Sequence, residues 1–104
     1  MKISNLNDEN FNNKVLICKA KVITYFWATW CNPCKALSPI IEELSKELEH
    51  LFYKIDVHHN SIHANKYQVR SIPTLLLFQA GVLNEHRIVG LTTKNNIKQW
   101  IMTQ

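Results

Sequence analysis

The chain has 104 residues, 46 % hydrophobic and 19 % charged, a balance that fits one folded domain over residues 1–104 and excludes a disordered tail. Two glycines, three prolines and three cysteines exclude collagen-like, low-complexity and disulfide-scaffold classes. The net charge of +4 is uneven: residues 1–49 carry six bases and six acids, whereas residues 50–104 carry six bases against Asp56 and Glu85.

Asn7-Asp8-Glu9 ahead of Phe11, Val15 and Leu16 predicts a helix start, with the acids at the positive end of the helix dipole. Lys21–Trp27 is rich in β-branched and aromatic residues and predicts a strand buried on both faces. A second helix is expected to begin within the Cys31–Cys34 turn. Leu37, Ile40, Ile41, Leu44 and Leu48 recur along it at helical spacing, and Pro39 should kink it. Leu51–Val57 reads as another central strand, followed by a short helix around Ser61–Tyr67. Thr74–Gln79 is a strand opened by Pro73, and Ala80-Gly81 turns it into a last strand over Leu83–Val89. Gly90 ends that strand. Thr92 or Thr93 then caps a final helix with Ile97, Trp100 and Ile101 inward. The order is (β)αβαβαββα, its leading strand unassigned to residues. Helical crossovers between the early strands imply parallel neighbours, and the tight turn at Gly81 implies an antiparallel hairpin. The expected class is α/β, one mixed sheet with helices on both faces.

Chemistry concentrates in Trp30-Cys31-Asn32-Pro33-Cys34-Lys35, between a buried strand and a helix start. Two cysteines on a first helical turn can close and reopen a small disulfide loop with little backbone movement. The helix amino end stabilises a thiolate at Cys31, lowering a value near 8.5 toward neutrality and making Cys31 the nucleophile. Cys34, a turn deeper, would attack the resulting mixed disulfide. The competing reading is half a zinc site. That would have to recruit His59 and His63, which follow a different strand and read instead as a polar helix face. Cys18, in no redox pattern, is expected to be a buried inert thiol. Trp27 reads as packing, Trp100 as core, and Trp30 as a substrate contact beside Cys31.

With these residues in view, the chain resembles the thioredoxin family over almost its whole length. The match runs through Phe26-Trp27-Ala28-Thr29-Trp30-Cys31-Asn32-Pro33-Cys34-Lys35, Pro39, Asp56, Arg70-Ser71-Ile72-Pro73-Thr74, Leu77-Phe78, Gly81 and Val89-Gly90. The resemblance implies the thioredoxin fold, with a reversible Cys31–Cys34 dithiol/disulfide. It also implies a cis Ile72–Pro73 bond beside the disulfide, and a docking surface of Trp30, Asn32, Pro33, Ile72, Pro73, Val89 and Gly90. Two departures stand out. Tyr25 replaces the family's usual buried aspartate, and Phe52 replaces its lysine partner at the ungapped position. Losing both together avoids an uncompensated buried charge worth about 3–5 kcal/mol. Tyr25, Lys35 and Phe52 are the expected tuning residues. Asn32 stands where glycine is usual, and one extra residue lies between Gly81 and Gly90.

The expected function is reduction of protein disulfides, recharged by a flavin- and NADPH-dependent thioredoxin reductase that the resemblance implies. No bound cofactor or metal is expected. Pro33 matches the reducing members, whereas oxidases and isomerases typically carry histidine there. A non-catalytic, partner-specific binding module is the alternative that Tyr25 and Phe52 keep open. Scattered basic residues without a stripe argue against nucleic-acid binding. The longest wholly apolar run, Leu75–Phe78, is far short of the ~18 residues of a membrane span. Met1–Asn10 lacks the apolar stretch of a secretory signal, so a cytoplasmic protein is the expectation. A monomer is expected as well.

Overall fold

A computed structural model describes residues 3–104. In chain order the strands are β1 (Ser4–Leu6), β2 (Lys21–Trp27), β3 (Leu51–Asp56), β4 (Thr74–Gln79), β5 (Val82–Leu83) and β6 (Ile88–Val89). The α-helices are α1 (Asn32–Glu47), α2 (Ile62–Lys66) and α3 (Lys94–Thr103), and a π-helical segment covers Asn12–Leu16. The sheet order is β1-β3-β2-β4-β5, with β6 also on β4. β1, β3 and β2 run parallel, and β4 is antiparallel to β2.

Alternation along the central strands divides the core into two layers. Ile23 and Tyr25 of β2, Phe52 of β3, and Leu75 and Leu77 of β4 face α1 and α3, meeting Leu37, Ile41, Leu44, Ile97, Trp100 and Ile101. Val22, Phe26, Ile55, Leu76 and Phe78 face the other way, onto Phe11, Val15 and Ala64. The apolar residues of α1 and α3 therefore do what their spacing predicts, each helix burying one stripe on the sheet. At the α3 amino end, Thr93 Oγ1 accepts from the Asn96 N–H at 3.2 Å. At its far end, Lys21 Nζ donates to the carbonyls of Ile101 and Gln104 at 2.9 and 3.0 Å. The strand start thus caps carbonyls that a helix end leaves unpaired.

The amino-terminal expectation is met in position but not in helix type. A helical segment follows Asn7-Asp8-Glu9, but it is π-helical over Asn12–Leu16 rather than α-helical. The Asn7 and Asn10 side chains close a local turn on each other's backbone N–H groups. Asp8 reaches across the fold instead, accepting from the Ile62 and His63 N–H groups at the start of α2. Asn7 thus caps locally, whereas Asp8 serves unpaired donors that belong to a distant helix.

The expected strand Leu83–Val89 is broken into β5 and β6. Phe78 pairs with Leu83, but Thr74 pairs with Val89, so the register against β4 slips by two residues in between. The Asn84 N–H still reaches the Leu77 carbonyl at 2.8 Å, while its side chain turns back to the His86 N–H. Arg87 leaves the ladder to donate to the Tyr67 carbonyl at 2.9 Å. Such a bulge bends an edge strand away from regular pairing.

Candidate functional site

β2 delivers the chain to the carboxyl edge of the sheet, where Ala28, Cys31 and Cys34 form a small buried cluster with Trp27, Val57 and Ile72 packed on it. Cys31 is the N-cap of α1, and Cys31 and Cys34 are joined by a disulfide with their Cα atoms 5.2 Å apart. Cys31 Sγ accepts the Cys34 N–H at 3.2 Å, so a donor that a helix start normally leaves unpaired is aimed at this sulfur. The same geometry stabilises a thiolate once the disulfide opens. Cys31 retains 5 % exposure and Cys34 only 1 %, which leaves the first sulfur as the one a partner can approach.

The residues singled out by sequence converge here. Trp30 is 65 % exposed beside Cys31, and Asn32, Pro33 and Lys35 are exposed on the first turn of α1. Ile72 is half-buried, and its carbonyl oxygen lies 3.8 Å from Cys31 Sγ. The Ile72–Pro73 peptide is cis. Pro73 itself is buried, and its carbonyl accepts from the Gly90 N–H at 2.8 Å, which pins the following loop against the site. Val89 pairs with Thr74 and is 58 % exposed, and Leu91, next along from Gly90, is also exposed.

Tyr25 lies directly behind the cysteines. Its hydroxyl donates to the Cys34 carbonyl at 2.9 Å and lies 2.9 Å from Ser38 Oγ, which itself reaches that carbonyl at 2.9 Å. Burial raises the pKa of the phenol, only partly offset by Ser38. Tyr25 is therefore a neutral donor at physiological pH. Ser38 is a functional neighbour that sequence reasoning missed, although its place four residues after Cys34 put it over the same helical turn.

Tyr25 and Phe52 share one buried cluster, but they are not direct cross-strand partners. Phe52 stands opposite Ile23, and the residue opposite Tyr25 is Lys54. Lys54 is half-buried, with Nζ 5.5 Å above the Trp27 ring. A cation therefore remains beside this wall of the core, moved two residues along β3 and seated on an aromatic face. The Trp27 Nε1 is buried without a hydrogen-bond partner among the described residues.

His59 and His63, the histidines a zinc site would have to recruit, are each engaged by a carboxylate. His59 Nδ1 pairs with Asp56 and His63 Nδ1 with Asp8, each at 3.0 Å. The expected polar helix face is also corrected. His63 is only 8 % exposed and stacks on Phe11 with ring centroids 4.1 Å apart, while His59 precedes α2. Cys18 is half-buried at the lower layer of the core rather than enclosed.

Comparison with known proteins agrees with this geometry. The family model described as Thioredoxin matches residues 2–103. A thioredoxin of Rickettsia bellii is 43 % identical over 100 residues, covering 94 % of each chain. A thioredoxin of Buchnera aphidicola from Acyrthosiphon pisum is 42 % identical over 102 residues, covering 96 % of this chain and 94 % of its own. The chloroplastic thioredoxin M4 of Arabidopsis thaliana is 33 % identical over 103 residues, covering 97 % of this chain and 53 % of its own. With a cysteine pair closed into a disulfide at a helix amino end and relatives of this similarity along nearly its full length, the chain belongs to the thioredoxin family of thiol–disulfide oxidoreductases.

Proposed function

We propose that the chain works in the reducing direction on disulfides of cytoplasmic proteins, with Cys31 attacking and Cys34 resolving. The Cys31 thiolate attacks one sulfur of the substrate disulfide. A mixed disulfide forms, and the departing substrate thiolate takes a proton. Cys34 then loses its proton, attacks Cys31 Sγ, and releases the second substrate sulfur as a thiol. Two electrons pass to the substrate, and the Cys31–Cys34 disulfide remains. A flavin- and NADPH-dependent thioredoxin reductase returns it to the dithiol, as such reductases do for this family. Trp30, Ile72, Val89 and Gly90, with Asn32 and Pro33, offer the apolar rim on which the substrate segment lies.

The observation that carries this reading is the Cys34 N–H aimed at Cys31 Sγ across the helix start. Reduction of insulin disulfides, coupled to NADPH oxidation through a thioredoxin reductase, tests it directly. Turnover that disappears in Cys31→Ser supports the reductase. A protein that binds partners but never turns over is instead a binding module. A redox potential in the range of strong oxidants would assign the oxidising direction.

A further inference from the structure

Beside Cys31 a groove runs away from the disulfide. Trp30 and Val57 line it with Ile72, Ser71, Arg70 and Val69. Arg70 and Val69 also border a second hollow, whose other walls are Ala64 and the amide side chains of Asn65 and Gln68. Arg70 is exposed where the two meet, and no ion pair among the described residues involves it. Arg70 is the one charged side chain among the residues that line the groove. Asp56 precedes Val57 in the chain, and its two oxygens are taken by the His58 N–H and His59 Nδ1.

We propose that this groove selects protein segments with a carboxylate two or three residues from the cysteine under attack. The inference rests on the reductase reading above. Cys31 Sγ lies 3.8 Å from the Ile72 carbonyl, and Arg70 is two residues from Ile72 along the same wall. An extended segment advances about 3.3 Å per residue, so a cysteine held at Cys31 puts its second or third neighbour opposite Arg70. There the guanidinium can take a carboxylate bidentately, and the Asn65 and Gln68 amides offer further donors. An apolar residue in between covers Trp30 and Ile72. Apolar contact supplies the area, and charge chooses among segments that fit it equally well.

The test uses two peptides that differ only in Glu or Lys two residues from a cysteine, each carried as a mixed disulfide with 5-thio-2-nitrobenzoate. The reduced protein attacks the peptide sulfur, and release of the coloured thiolate gives the second-order rate constant. The common leaving group cancels in the ratio. At low ionic strength the Glu peptide should react roughly three- to tenfold faster. In 1 M salt, where the screening length is about 3 Å, the ratio should fall toward one. Arg70→Gln should remove the preference and Arg70→Glu should reverse it. Lys98→Glu, the same change of net charge on α3, should leave it intact. Equal rates in the parent, or a preference that survives Arg70→Glu, overturns the charge selection and leaves the reductase reading standing. No release from either peptide overturns both.

Discussion

The hydroxyl of Tyr25 donates to the backbone carbonyl of Cys34 at 2.9 Å, and so is committed to the main chain of Cys34 rather than to its sulfur. Burial keeps this phenol protonated well above neutral pH. It braces the first turn of α1 together with Ser38, but it is not placed or charged to take the proton of Cys34.

The resolving step should therefore accelerate with pH as Cys34 itself ionises. Stopped-flow reduction of a small test disulfide separates the two steps. Tyr25→Phe should leave the pH profile of resolution unchanged and cost about 1 kcal/mol, the worth of one hydrogen bond. Tyr25→Asp should speed resolution near neutral pH but cost several kcal/mol, because it buries a carboxylate among Ile23, Leu37 and Phe52. Adding Phe52→Lys should restore part of that loss. If Tyr25→Phe slows resolution, the phenol takes part in the proton transfer after all.

Alkylation should separate the three thiols by chemistry rather than by exposure. Cys18 is more exposed than Cys31, yet only Cys31 caps a helix start with a backbone N–H aimed at its sulfur. At slightly acidic pH, where an ordinary thiol near 8.5 is almost wholly protonated, iodoacetamide should modify Cys31 first in the reduced protein. Peptide mapping by mass spectrometry reads the order. Earlier labelling of Cys34 or Cys18 would contradict the assignment.

Gly81 and Gly90 both have positive φ, at +78° and +89°, but they should respond differently to alanine. A Cβ at Gly81 would lie 2.1 Å from the Leu16 carbonyl oxygen, whereas a Cβ at Gly90 meets nothing within 4 Å. Gly90→Ala should cost only the backbone strain, about 1–2 kcal/mol. Gly81→Ala adds a backbone clash and should cost clearly more. Urea unfolding midpoints of the two variants give the comparison, and equal losses would mean that the Leu16 turn yields freely.

Asp8 ties the amino-terminal segment to α2, and its contribution should vanish in acid. Burial raises its pKa, but hydrogen bonds from His63 and from the Ile62 and His63 N–H groups outweigh this and leave it below the usual 3.8. A folded-state value below the unfolded one gives stability that is fully present above about 3.8 and is lost as pH falls through the lower folded value. Asp8→Ala should cost about 1 kcal/mol at neutral pH, as for loss of a helix cap, and the difference from parent should shrink below pH 4. Denaturant titrations at several pH values measure it. A pH-independent difference would assign the effect to packing alone.

Local sequence was enough for β2, α1, β4 and α3, because each carries its own period over six residues or more and buries what that period marks. It was also enough for the disulfide pair, since both cysteines and the helix start at Cys31 lie within four consecutive residues. The pairing of Asp8 with α2, the break between β5 and β6 and the burial of His63 were not legible. In each, a polar group chose between a nearby partner and a distant one: Asp8 took the start of α2, Arg87 the Tyr67 carbonyl, and His63 the space between Asp8 and Phe11. The setting of Tyr25 belongs to the same class. Its place before Phe26-Trp27 and the absence of a carboxylate there are properties of the chain. That its hydroxyl meets Ser38 and the Cys34 carbonyl, and that Lys54 rather than Phe52 stands opposite it, follow only from how α1 crosses the sheet and how β3 pairs with β2. Periodicity tells which face of an element is apolar. Register and crossing, set when those faces pack together, decide which polar atoms find one another.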